Sequence, residues 1–145
     1  MKLSPTLRLL SALLLTGVAC AAAPADARYP YGGAALQSLV NDSYRVAGQS
    51  APSLSAWLTE QYREAHVPLA GAPTLKAGLA ARREALRRAG KRGDDLARDS
   101  AQWAHTFIKK ILPKFSLERG YEFSAAMTAG ERQCLLQSVL IASLL

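Results

Sequence analysis

The chain has 145 residues, 50% of them hydrophobic and 20% charged, with a formal charge of +7. That length limits it to about one domain, and that composition excludes wholesale disorder. The basic excess favours anionic partners and says nothing about fold.

The first 27 residues read apart from the rest. "MKLSPTLRLLSALLLTGVACAAAPADA" places Lys2 and Arg8 before an apolar stretch from Leu9 to Ala19, followed by small residues. That order is a secretory signal sequence. The apolar stretch is shorter than the roughly 20 residues that a membrane-spanning helix needs. Two processing sites are open. Ala25-Asp26-Ala27 fits the small-x-small rule and makes Arg28 the first mature residue. "GVAC" partly matches a bacterial lipobox, with Gly17 where leucine is usual, and makes Cys20 a lipid-bearing N-terminus. Either way the expected location is outside the cytoplasm: periplasm, cell envelope or secreted.

"RYPYGG" (28–33) reads as an entry loop. A first helix is expected from Ala35 to Val46, with Leu36, Leu39, Val40 and Tyr44 at helical spacing. "GQSAPS" breaks it. A second helix begins near Ser53 or Ser55, either of which is a suitable cap. Its apolar stripe is Leu54, Trp57, Leu58 and Tyr62, and "HVPLAGAP" ends it. Thr74 caps a third helix, Leu75 to Ala89, whose anchors are Leu79 and Leu86. That thin stripe suits a helix at the edge of the domain. Residues 28–93 thus form a helical N-terminal region.

Asp94 or Asp95 opens a fourth helix, where a carboxylate meets the positive end of the helix dipole. Leu96, Ser100, Trp103, Phe107, Ile108 and Ile111 give it the strongest amphipathic pattern in the chain, and Pro113 stops it. "KFSLERGYEF" is turn-rich, with room for one brief strand and no sign of a sheet. The last helix starts at Glu131 or Arg132 and runs to the end. Only Gln137, Ser138 and Ser143 interrupt its apolar residues, so it is expected to be central and buried. A helix that runs to Leu145 leaves its last carbonyls uncapped, and the expectation is that the natural domain continues past that residue.

Cys134, the sole cysteine outside the leader, falls in the first turn of this helix. Free backbone N–H groups at a helix start favour a thiolate, the reactive form of a cysteine. The plain alternative is a small buried hydrophobe. The wording around it narrows the choice. "AAMTAGERQCLLQSVLIASLL", preceded by "QWAHTFIKKI", resembles the nucleophile segment of the transglutaminase-like superfamily of cysteine acyltransferases and peptidases, over residues 94–145. The resemblance implies a mainly α segment equivalent to the N-terminal helical part of an α+β, papain-like domain, with its sheet missing. It also implies that Cys134 is the catalytic nucleophile, acting on a protein or peptide substrate without cofactor or metal. The family's histidine and aspartate follow the cysteine, whereas His66 and His105 both precede it here. The expectation is therefore a truncated core, inactive as it stands, whose base and orienting acid lie past Leu145. His66 reads as a loop or helix-end residue and His105 as a boundary or surface residue, and their spacing from Cys134 makes no zinc pattern.

The other salient feature is a basic run: Arg82, Arg83, Arg87, Arg88, Lys91 and Arg92, with Glu84 among them. It suits an anionic envelope surface or, more plainly, a solvated helix face. With no aromatic interleaved, it does not suit a single-strand nucleic-acid platform. The alternative to the enzyme is thus a small exported helical protein that binds the envelope and has no catalytic activity.

Overall fold

Six helices and one pair of two-residue strands make up the described residues, 30–66, 69 and 71–145, of the computed structural model. The expected signal sequence and the candidate lipobox at Cys20 lie outside these residues. The elements in order are α1 (Ala34–Val46), α2 (Leu54–Glu64), α3 (Leu75–Arg88), α4 (Gly93–Ile111), β1 (Lys114–Phe115), α5 (Phe123–Ala129), β2 (Glu131–Arg132) and α6 (Cys134–Ser143). The described chain is mainly helical. Among these residues no helix is long and apolar enough to cross a membrane.

Local chemistry explains three of the six helix starts, those of α2, α3 and α4. Ser53 accepts a hydrogen bond from the Ala56 N–H at 3.3 Å, and Thr74 accepts one from the Ala77 N–H at 3.2 Å. Each satisfies an N–H that a helix start leaves without a partner. Asp94 and Asp95 occupy the first turn of α4, and Lys109 and Lys110 its last, so both ends oppose the dipole favourably. Gln37 fastens α1 to the start of α2. Its amide donates to the Pro52 carbonyl at 3.0 Å, and its oxygen accepts from the Leu54 N–H at 2.9 Å.

The core is one cluster drawn from every helix. Leu36, Val40, Leu54, Leu58, Leu75, Phe107, Ile108, Leu112 and Leu140 are its largest fully buried side chains. Phe107 lies at its centre, stacked on Trp103 at 5.1 Å and edge-on to Tyr62 at 6.3 Å. The Tyr62 hydroxyl also holds the turn before α3: it accepts from the Leu69 N–H and donates to the Ala72 carbonyl, both at 2.9 Å. Gly78 allows that approach, because a Cβ there would meet Leu69 Cβ at 2.7 Å. Accordingly the buried positions of α3 are Leu75 and Gly78, with Leu79 and Leu86 only half-buried.

Two expectations need correction. The segment after Pro113 contains a small sheet. β1 and β2 run parallel, with Lys114 opposite Glu131 and Phe115 opposite Arg132. Parallel strands need a crossover, and α5 supplies it. The Lys114 N–H donates to Gly130 and the Ser116 N–H to Arg132, at 3.1 and 3.0 Å. Gly130, with φ 69°, ends α5 in the left-handed conformation. The second correction concerns α6, which is not buried all round. Leu136, Leu140 and Ser143 are buried, but Leu135 is 66% exposed. A sequence with so few polar residues tells a helix to seek cover without saying which face obtains it.

Candidate functional site around Cys134

The chain reaches Cys134 through a short, well-fixed path. Gly130 turns it out of α5, β2 lays Glu131 and Arg132 beside β1, and Gln133 is extended at φ −130° and ψ 165°. Cys134 is then the first residue of α6, and its side chain is exposed. The buried-thiol alternative does not hold. Gln133 makes no side-chain capping bond, so the first N–H groups of α6 are not occupied by their own cap.

Arg132 ties this junction to its surroundings. Its Nε donates to Gln137 Oε1 at 3.0 Å. Its Nη1 donates to the Leu112 carbonyl at 2.9 Å and the Pro113 carbonyl at 3.2 Å. The guanidinium thus meets the carbonyls of Leu112 and Pro113, just past the end of α4 at Ile111. Gly120 packs on the same residue, and a Cβ there would lie 2.5 Å from the Arg132 carbonyl. Neither Arg132 nor Gln137 stands out in the sequence. The one available signal is an arginine two residues before the cysteine and an amide three after it.

Beside the junction lies a groove of about 670 Å³. Its walls are largely apolar, from Leu39, Val46, Tyr121, Phe123, Leu135 and Val139. Its polar edge comprises Ser43, Arg119 and Glu122. Ser43 donates to Ser124 Oγ at 3.1 Å and accepts from the Ser124 N–H at 3.0 Å, and Arg119 pairs with Glu122 at 3.5 Å. Cys134 is not among the lining residues. It precedes Leu135, and successive helical side chains diverge by about 100°, so the sulfur leaves α6 on a different side from the groove.

His66 and His105 are both exposed. His66 follows the last turn of α2 with a positive φ of 47°, and His105 lies on the outer side of α4. Neither is brought to Cys134 by a hydrogen bond. Among the described residues no group of three or more His, Cys, Asp or Glu side chains is close enough to hold a metal ion.

The basic run is largely engaged within the chain. Arg82 turns into the seam between α3 and α4, where it donates to the Asp99 carbonyl at 3.1 Å. Lys91 pairs with Asp99 at 3.1 Å, Arg88 approaches Glu84 at 3.9 Å, and Arg92 donates to the Arg87 and Lys91 carbonyls at 2.6 Å. Arg83 and Arg87, with Lys76, line a second groove of about 460 Å³. No protein-family model, curated protein or solved structure matches the chain.

Proposed function

We propose that this chain is the nucleophile-bearing helical part of an exported cysteine acyltransferase or amidase of transglutaminase-like type, with Cys134 as the nucleophile. The observation that carries the reading is the exposed position of Cys134 at the first residue of a mostly apolar helix. A nucleophile must be rigidly placed and reachable; the start of α6 supplies the reach, and the packed helix behind it ties the position to the core. The resemblance of residues 94–145 to the family's cysteine segment points the same way.

In this reading the Cys134 sulfur attacks the carbonyl carbon of a peptide or side-chain amide. The C–N bond breaks, the amine leaves with a proton, and a thioester remains. Water or a second amine then attacks the thioester and restores the thiol. The proton that moves from sulfur to the leaving amine needs a general base. Neither histidine bonds to Cys134, so the reading assigns that base, and the acid that orients it, to residues outside those described. The substrate is a protein or peptide, and no cofactor is required.

The envelope-binding alternative has weaker support, because Arg82, Arg88, Lys91 and Arg92 each meet an acceptor within the chain. An activated acyl ester provides the test, because it needs no acid to expel its leaving group. The expected product is a hydroxylamine-labile thioester on Cys134, mapped by mass spectrometry and lost in Cys134→Ala. Acylation spread over the lysines, with none on Cys134, would sink the proposal.

A further inference from the structure

We infer that Arg132 is the positioning residue for Cys134, a clamp that sets where the first turn of α6 begins. The inference deepens the acyl-transfer reading and takes its chemical meaning from it, while the clamp itself rests on geometry.

Arg132 joins more segments than any single backbone contact in this region. Its side chain reaches the end of α4 at Leu112, the lead into β1 at Pro113 and the first turn of α6 at Gln137. Its carbonyl accepts from the Ser116 N–H at 3.0 Å, and Gly120 packs against that carbonyl. Gln133 makes no capping bond, so Arg132 to Gln137 is the one side-chain hydrogen bond that reaches the first turn of α6 among the described residues. A planar guanidinium satisfies acceptors in several directions with one rigid fork, which an ammonium on a flexible stem does not. Cys134 lies between the two ends of this clamp, two residues after Arg132 and three before Gln137. Reacting groups must be held to within about half an ångström, and an uncapped first turn does not hold itself that closely.

The test pairs amide exchange in α6 with acylation of Cys134 by p-nitrophenyl acetate, on the full chain. Gln137→Leu removes only the link to α6, and Arg132→Lys keeps the charge while losing the fork. In both, exchange at the Ser138 and Val139 amides should quicken by about ten- to a hundredfold, the size expected when a hydrogen bond to a charged group is lost. Exchange in α1 and α2 should not move, and acylation of Cys134 should slow in step with the loosening. Unchanged exchange at Ser138 and Val139 in Gln137→Leu overturns the clamp. So does a wild-type profile in Arg132→Lys, which would mean that charge alone matters. A wild-type Cys134 that resists acylation, together with loosened variants, removes the nucleophile reading and leaves the clamp standing. A reactive wild-type Cys134 with unchanged exchange does the reverse.

Discussion

The two ends of α6 live in different surroundings. At its C-terminal end Leu140, Ser143 and Leu144 are buried, and the Tyr31 N–H donates to the Ser143 carbonyl at 3.1 Å. At its N-terminal end Cys134 and Leu135 face solvent, Leu136 alone reaches the core, and the Arg132 side chain adds a second hold through Gln137. A helix whose polar residues besides Cys134 are only Gln137, Ser138 and Ser143 is thus an anchor at one end and a presented surface at the other. The sulfur gains access without the helix losing its hold on the domain.

Substitutions sharpen the contrast. Leu140→Ala should cost about 2–5 kcal/mol, because it empties a fully buried site in the core cluster. Denaturant unfolding measures this directly. A cost near zero would mean that the buried end is not an anchor. A smaller effect is expected at high pH near the same end. Burial raises the Tyr31 phenol above its ordinary 10.0, and does the same to Tyr44. A phenol whose folded pKa is raised stabilises fully below its unfolded value. That contribution is lost as pH rises through the folded value, because the unfolded chain releases its proton first. The melting temperature should therefore fall more steeply above pH 10 in the wild type than in Tyr31→Phe. The smallest effect belongs to the exposed end, where Leu135→Ala should change stability by no more than about 0.5 kcal/mol. If Leu135→Ala cost as much as Leu140→Ala, the two ends would not differ.

The sequence is most legible where one residue carries one physical task. Ser53 and Thr74 are recognisable caps, the aspartates at the start of α4 are recognisable dipole partners, and the spacing from Trp103 to Ile111 reveals a buried face. Where α6 is concerned, the same reasoning is too coarse, because residues that are apolar on every side specify no face. Leu39 belongs to the apolar pattern of α1, yet it is 53% exposed in the groove wall. The seven residues of α5 are too few to show a period, and their start is held from elsewhere, by Ser43 on Ser124. Two-residue strands carry no pattern at all. The position of Cys134 at a helix start was legible, whereas the Arg132 clamp was not, because it exists only once α4, β1 and α6 have met.

The most direct measurement is alkylation of Cys134 in the folded chain, followed by peptide mapping and compared with the same reaction in denaturant. A thiol presented at the start of α6 is modified in native buffer at nearly the rate seen after unfolding. A Cys134 that resists modification until the chain unfolds would contradict both the exposed end of α6 and the nucleophile built on it.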